Sequence, residues 1–306
     1  MKDISSKSSC LKITLFLAGE KGFHFLKHLL KKYKNMFAGV VVANDKSVEK
    51  DYAKEIIELC ELENIPVFKR VDFTKIHSEY ALAVSWRWLI KHEPEKLIVF
   101  HDSILPKYRG FSPLVNSLIN GESEIGVSAI FGADDFDAGG IVAQSRTKIT
   151  YPIKINEAIA VVNKNYLECA ERVFNSLSEG SDIKSVPQNE EEATYSVWRD
   201  ERDYLINWDQ SSEKIRRFVD AVGYPYKGAL TMLDGSAVRI IESEEFPDRK
   251  IENRDPGKIL LVEGGKPVVI CGSGLLKINQ AVVERGENTT SLFPLPKFRI
   301  RFSSRA

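Results

Sequence analysis

The chain has 306 residues, of which 43% are hydrophobic, and this is enough to bury one substantial core or two smaller ones. Lysine and arginine number 43, and so do aspartate and glutamate, so the net charge of zero gives no overall attraction to nucleic acid or to a membrane. No apolar run approaches the roughly 18 residues of a membrane span, and the four cysteines are scattered without a C-x-x-C pair. We therefore expect a soluble protein of the reducing cytoplasm.

The first part of the chain, residues 1–178, alternates apolar runs typical of strands with amphipathic helical patterns. This alternation predicts a Rossmann-like, doubly wound α/β domain in which helices cover both faces of a parallel sheet. The predicted strands are residues 11–19, 37–44, 65–68, 79–86, 96–101, 126–131 and 141–149, and the predicted helices are residues 22–33, 48–64, 114–120 and 156–177.

The remainder of the chain has a different pattern. Residues 179–196 are polar and lack apolar periodicity, which is typical of a linker. In residues 197–306, one helix near 212–222 is followed by short β-type runs that glycine, proline and aspartate separate. We therefore predict a second, smaller β-rich domain.

Two short motifs carry the residues best suited to chemistry. HDSILPKYRG begins at His101, where a predicted strand ends, and DDFDAGGIV places Asp137 in a loop between two strands, before Gly139 and Gly140. Ligands of an open parallel sheet collect at the carboxyl ends of its strands. A carboxylate beside an imidazole orients the ring and stabilises its charged form, so His101 and Asp137 form a candidate acid–base pair, and the two glycines would let the backbone approach a ligand.

HDSILPKYRGFSPL, followed by GESEIGVSAIFGADDFDAGGIVAQ, resembles the signature of the folate-dependent formyltransferases. The similarity extends to VSWRWLI and, beyond the linker, to INWDQSSEKIRRFVDAVGYPYKGALTMLDG, which resembles the OB-like C-terminal domain of the family. The resemblance implies an OB-like fold for residues 197–306, 10-formyltetrahydrofolate as the formyl donor and no metal.

The resemblance also implies roles for individual residues. His101 would be the general base that accepts the proton of the attacking amine, and Asp137 would stabilise the resulting imidazolium. One side of the folate pocket would be formed by Trp86, Arg87, Trp88, Leu89 and Ile90, and the other side by Asp134, Asp135 and Phe136.

Two positions depart from the family pattern. An asparagine stands two residues before the histidine in the family, where its amide holds the formyl oxygen, but this chain has Val99 there. Removing one such donor typically costs about 10²–10³ in rate, which is compatible with a slow enzyme as well as an inactive one. Asp102 follows His101 where the family has a small residue or proline, and a carboxylate that pointed inward would raise the pKa of the histidine.

The balanced charge favours a small acceptor over tRNA, because phosphate neutralisation dominates tRNA affinity. We therefore expect the acceptor to be a nucleotide-linked amino sugar, such as a dTDP- or UDP-4-amino-4-deoxy sugar used for surface polysaccharides, with no nucleic-acid or membrane partner. A homodimer through the β-rich domain is a further expectation. Two alternatives are a methionyl-tRNA formyltransferase and a catalytically impaired homologue that binds folate or nucleotide sugar without formyl transfer.

Overall fold

The computed structural model describes residues 11–304 except 46, 47, 49, 287, 296 and 298. The polar N-terminal stretch and Cys10 lie outside these residues, and Cys60, Cys169 and Cys271 are buried free thiols. None of the helices in the described part of the chain is long and apolar enough to cross a membrane.

The N-terminal part of the chain forms an α/β domain, as the alternating pattern predicts. Its strands and helices, in chain order, are β1 (Ile13–Ala18), α1 (Gly19–Tyr33), β2 (Phe37–Ala43), α2 (Ala53–Leu62), β3 (Val67–Lys69), β4 (Tyr80–Val84), β5 (Leu97–His101), β6 (Arg109–Gly110), α3 (Pro113–Asn120), β7 (Glu124–Phe131), β8 (Ile141–Lys148) and α4 (Ile155–Ser178). Within the described residues, seven of these strands form one sheet in the order β3-β2-β1-β4-β5-β7-β8.

The sheet is parallel over five strands and antiparallel at one edge. Strands β1 to β5 pair in parallel, whereas β7 runs antiparallel to both β5 and β8. Residues 132–140 join β7 to β8, and a connection this short allows a hairpin but no crossover to a parallel strand.

The two faces of the sheet are covered differently. The large core lies between the sheet and helices α1 to α4 and continues into the C-terminal domain. On the opposite face a smaller cluster of Phe16, Val41, Ala81 and Ala83 packs against side chains from strands and loops, and no residue of the described helices belongs to it. The connection after β3 is a loop and the one after β4 contains only the short 3-10 helix Pro94–Lys96, so no α-helix of the described residues covers this face. We call these four residues the open-face cluster.

The C-terminal part of the chain forms an antiparallel, β-rich domain, as expected. Its elements, with a short strand from the preceding segment, are β9 (Tyr195–Ser196), α5 (Ser212–Ala221), β10 (Ala229–Leu233), β11 (Ser236–Phe246), β12 (Ile259–Glu263), β13 (Lys266–Ile270), β14 (Leu275–Arg285), β15 (Asn288–Ser291) and β16 (Phe302–Ser303). The described strands follow the order β12-β13-β14-β11-β10-β16, and β15 pairs with β14.

Helix α5 joins the two domains by packing against α3. Arg217 of α5 donates from Nε to the carbonyl of Ile119 at the end of α3, at 3.1 Å. Lys154, which precedes α4, also lies 3.6 Å from Glu242 of the β-rich sheet. These contacts bring the C-terminal domain beside the loops that follow the parallel strands.

Candidate functional site

His101 is the last residue of β5, at the carboxyl edge of the parallel strands. Side chains alternate along a strand, so His101 and Val99 lie on the same face of the sheet, and Val99 packs against the open-face cluster. The side chain of His101 is only 8% exposed. The strand therefore presents the imidazole at the rim of the face that no helix covers.

The hydrogen bonds of His101 fix which ring nitrogen carries the proton. Nε2 lies 2.7 Å from the carbonyl oxygen of Tyr108, and a carbonyl only accepts, so Nε2 is the donor. Nδ1 of the neutral ring therefore holds the free electron pair, 3.4 Å from Oδ2 of Asp137. A proton taken up by Nδ1 would create an ion pair with this carboxylate, which suits the ring for general-base chemistry.

Asp137 is held in the loop between β7 and β8 in a conformation unusual for a residue with a side chain. Its φ of 52° lies in the left-handed region. Oδ2 accepts a hydrogen bond from the backbone N–H of Gly110 at 2.8 Å. The loop that contains Tyr108 and Gly110 thus contacts both His101 and Asp137. The carbonyl of Tyr108 accepts a hydrogen bond from His101, and the N–H of Gly110 donates one to Asp137.

The glycines after Asp137 lie where other segments of the chain come close. A Cβ atom added at Gly139 would lie 1.8 Å from the carbonyl oxygen of Phe131, and one at Gly140 would lie 2.6 Å from Oγ of Ser185. Their small size therefore allows close packing within the chain itself.

Residues 185–196 cross the site as an ordered segment, which we call the strap. Val186 pairs with Ile141 beside β8, and the strap ends in β9, which runs parallel to β6 in the HDSILPKYRG loop. Gln188 and Glu190 of the strap bind the side chain of Arg109, which is 1% exposed. Sequence patterns do not reveal these residues, because polar side chains that bind backbone groups leave no hydrophobic period.

Trp86 carries a buried donor without a partner. Its Nε1 is buried, with no hydrogen-bond partner among the described residues, and its ring packs edge-on to Phe16, at 5.1 Å between centroids. Trp88 lies 5.0 Å from Trp86, and Ile90 packs against the same cluster. An unpaired buried N–H costs stability, so the surface formed by Trp86, Trp88 and Ile90 suits a flat ligand that offers a hydrogen-bond acceptor to Nε1.

The other residues predicted for folate contact are more exposed. Leu89 is 90% exposed, and Arg87 is exposed and forms an ion pair with Asp45. Asp134, Asp135 and Phe136 form the exposed part of the loop before Asp137, where the ring of Phe136 lies 6.4 Å from that of Phe111. The structure thus brings Trp86, Trp88 and Ile90 together on the open face and leaves the remaining residues at its rim.

Asp102 does not point toward His101 as an unpaired carboxylate. It forms an ion pair with Lys21 of α1 and accepts a hydrogen bond from the hydroxyl of Tyr166 in α4. Burial would raise the pKa of Asp102, but the charge and hydrogen bond of Lys21, the Tyr166 hydroxyl and nearby His101 hold it below its ordinary value. This second departure from the family pattern therefore ties α1 and α4 to the end of β5.

A loop of the C-terminal domain completes this edge. Burial, followed by the carboxylates of Asp102 and Asp45, raises the pKa of Tyr226. Tyr52 packs 5.7 Å from Phe23 and lies under the ammonium of Lys50, at 4.2 Å.

The neighbouring Tyr224 is 57% exposed. Its electrostatic effect raises the pKa of Tyr52, after the larger effects of burial and Glu20. We call Lys50, Tyr52, Tyr224 and Tyr226 the inter-domain edge.

Two models of one family match the parts of the chain that form these features. The formyl transferase model matches residues 70–168, which include His101 and Asp137, and the model of the formyl transferase C-terminal domain matches residues 200–291. Together they cover more than half of the chain. The chain belongs to the folate-dependent formyltransferase family.

Among curated proteins, the methionyl-tRNA formyltransferase of Sorangium cellulosum (strain So ce56) is 27% identical over 184 residues, 60% of this chain and 58% of that protein. The chain therefore matches somewhat more than half the length of this relative.

Two solved structures share the fold over most of their length. WlaRD, described as a sugar 3N-formyl transferase in the presence of dTDP and 5-N-formyl-THF, has a TM-score of 0.68 at 18% identity, covering 94% of this chain and 99% of WlaRD. The N-formyltransferase from Helicobacter canadensis, in complex with folinic acid and dTDP-3-aminofucose, has a TM-score of 0.68 at 15% identity, covering 88% and 98%. At these identities the similarity shows the fold.

Proposed function

We propose that this protein transfers a formyl group from 10-formyltetrahydrofolate to the amine of a nucleotide-linked amino sugar, such as a dTDP- or UDP-4-amino-4-deoxy sugar. The observation that carries the proposal is the buried pair of His101 and Asp137. Nδ1 of His101 lies 3.4 Å from Oδ2 of Asp137, at the edge where ligands of parallel sheets collect.

The proposed chemistry needs one base and one stabilising charge. The acceptor nitrogen forms a bond to the formyl carbon, and the bond from that carbon to N10 of the folate breaks. Nδ1 of His101 takes the proton that the amine loses, and this proton then passes to N10. Asp137 stabilises the imidazolium between these events, and such proton transfer contributes about 10²–10⁴ in rate.

The open face fits the donor. A pterin ring offers nitrogen and oxygen acceptors on a flat heterocycle, and Trp86 supplies an unpaired buried N–H beside the aromatic wall of Trp88 and the apolar side chain of Ile90. Asp134, Asp135 and Phe136 border the other side, next to Asp137. Val99 supplies no donor for the formyl oxygen.

The inter-domain edge supports a nucleotide-linked acceptor. An exposed aromatic ring such as that of Tyr224 offers a stacking surface for a base. Lys50 offers a positive charge for a diphosphate, which would compete with the present partner of Lys50, Glu55, at 3.0 Å. The charge of Asp102, the neighbour of His101, acts on Tyr226, which supports an acceptor that lies on this edge with its amine toward the base. The relatives described with dTDP and dTDP-3-aminofucose support the same acceptor class.

The identity to a methionyl-tRNA formyltransferase supports a second candidate, formylation of methionyl-tRNA. The equal numbers of acidic and basic residues argue against it, because tRNA affinity rests largely on neutralised phosphates. If tRNA is the acceptor, binding falls steeply with salt.

A panel assay tests the proposal. Purified protein is incubated with 10-formyltetrahydrofolate and either dTDP- or UDP-linked amino sugars or methionyl-tRNA, and the formylated product is measured by mass spectrometry. We expect product from at least one sugar, and a raised KM for that sugar in Tyr224→Ala but not in Leu62→Ala, which alters an exposed apolar residue of α2. Formylation of methionyl-tRNA alone overturns the sugar acceptor, and formylation of neither overturns formyl transfer.

A further inference from the structure

Gln188 makes four hydrogen bonds at the back of the candidate site. Its Nε2 donates to the carbonyl oxygens of Asp137, at 2.7 Å, and Gly139, at 2.8 Å. Its Oε1 accepts from Nε of Arg109, at 3.1 Å, and from Nη2 of Arg109, at 2.9 Å. One amide side chain thus joins the loop of the carboxylate to the loop that contacts the imidazole.

The orientation of this amide follows from its neighbours. A guanidinium only donates and a carbonyl only accepts, so Oε1 faces Arg109 and both hydrogens of Nε2 face the two carbonyls. Arg109 is itself fixed, because its Nη1 and Nη2 donate to the two carboxylate oxygens of Glu190, at 2.8 and 2.6 Å. The buried guanidinium therefore has partners for Nε and for both terminal nitrogens. The oxygen of the Gln188 amide is fixed by Arg109, and its nitrogen is fixed by the two backbone carbonyls.

Asp137 needs such support. Its left-handed backbone costs roughly 1–3 kcal/mol and persists only where neighbouring groups hold it. The N–H of Gly110 binds one carboxylate oxygen of Asp137 but not its backbone. Gln188 binds the backbone carbonyl of Asp137 itself and that of Gly139, two residues further along the loop.

We propose that Gln188, oriented by Arg109, is a positioning residue that places the carboxylate of Asp137 against Nδ1 of His101. This inference rests on the proposed function for its effect on catalysis. The strap therefore belongs to the catalytic apparatus rather than serving as a spacer between domains.

A double-mutant cycle tests whether Gln188 acts through Asp137. We expect Gln188→Ala to lower kcat by about 10–100-fold, the scale of a misplacement near 1 Å, and to change the KM for folate less than about twofold. In the Asp137→Ala background, the same substitution should have no further effect on kcat. The control is Lys184→Ala, which alters an exposed side chain just before the strap, and its kcat should equal that of wild type. Additive losses in the double variant overturn the inference.

Backbone hydrogen exchange at Gly110 gives a readout that needs no activity. The Gly110 N–H donates to Asp137, so its protection should fall in both Gln188→Ala and Asp137→Ala, and should stay unchanged in Lys184→Ala. Arg109→Lys keeps the positive charge beside Glu190 but loses the two hydrogen bonds to Gln188, so the protection of the Gly110 N–H should fall in this variant too. Arg109→Lys takes the place of Gln188→Ala if Gln188→Ala does not fold. Unchanged protection in the folded variants overturns the positioning role, even if no acceptor is formylated. If protection falls but wild type formylates nothing, the positioning role stands and the proposed function fails.

Discussion

Replacing Val99 with asparagine tests the missing hydrogen-bond donor of the site. Val99 lies two residues before His101 on the same face of β5, and its backbone pairs with Ala83 and Ile130 on the neighbouring strands. Its side chain is partly buried against the open-face cluster. An asparagine at this position directs its amide toward the side of the sheet on which the imidazole lies.

Val99→Asn should have two opposing effects, a gain in catalytic rate and a loss of folding stability. One donor to the oxygen on which negative charge develops is worth about 10²–10³ in rate, or roughly 3–4 kcal/mol. A polar amide placed against the cluster without a partner costs about 1–3 kcal/mol of folding stability. We therefore expect Val99→Asn to raise kcat by about 10²–10³ while its Tm falls by a few degrees.

The assay compares three proteins with the same donor and acceptor. Val99→Leu is the matched control, because leucine has nearly the shape of asparagine but no donor, and its kcat should not exceed that of wild type. Folate binding is measured separately through tryptophan fluorescence. If Val99→Asn is folded, binds folate and is no faster than Val99→Leu, the missing amide does not limit this site and the reasoning fails.

Asp137→Asn should lower kcat by about 10²–10⁴ with folate affinity retained, measured by steady-state kinetics and fluorescence titration. Trp86→Phe removes the unpaired N–H, so it should weaken folate binding by about 2–10-fold and stabilise the free protein by about 1 kcal/mol in urea denaturation; unchanged affinity would contradict a role for Nε1. Lys21→Met leaves the buried carboxylate of Asp102 without its ion pair and should reduce the free energy of unfolding by about 3–5 kcal/mol at pH 7, with Asp102→Asn restoring part of the loss. Burial, partly offset by Arg216, raises the pKa of Asp220 from 3.8 to about 6, so its stabilising effect is complete below about pH 4 and disappears as pH rises through about 6. Asp220→Asn should therefore remove a fall of on the order of 2–3 kcal/mol between pH 4 and pH 7 in wild type, and an equal fall in both proteins would contradict the assignment.

The sequence suffices for the parts of the molecule that periodicity and local motifs encode. The apolar run before His101 predicts β5, and the strand end puts the imidazole at the carboxyl edge of the sheet. The alternating patterns also predict the α/β order and the change to a β-rich domain after residue 197. The antiparallel direction of β7 and β8 was predictable too, because residues 132–140 are too few for a crossover.

Other features depend on contacts between residues far apart in sequence. The strap is held by hydrogen bonds from Gln188 to backbone carbonyls and by the buried Arg109, and neither leaves a pattern in the 185–196 segment. The pairing of Asp102 with Lys21 and Tyr166 joins three elements, so the motif around His101 shows an extra carboxylate but not its direction. The loops over the open-face cluster contain isolated apolar residues, such as Phe73 and Ile76, whose spacing predicts no element.

The most direct test of formyl transfer by His101 and Asp137 is a single-turnover reaction with 10-formyltetrahydrofolate and a dTDP-linked amino sugar, followed by mass spectrometry. Wild type should convert the sugar to a product heavier by one carbonyl group, and Val99→Asn should do so faster. His101→Asn should bind folate and form no product above the uncatalysed rate. Equal product formation by wild type and His101→Asn would contradict the assignment of His101 as the base.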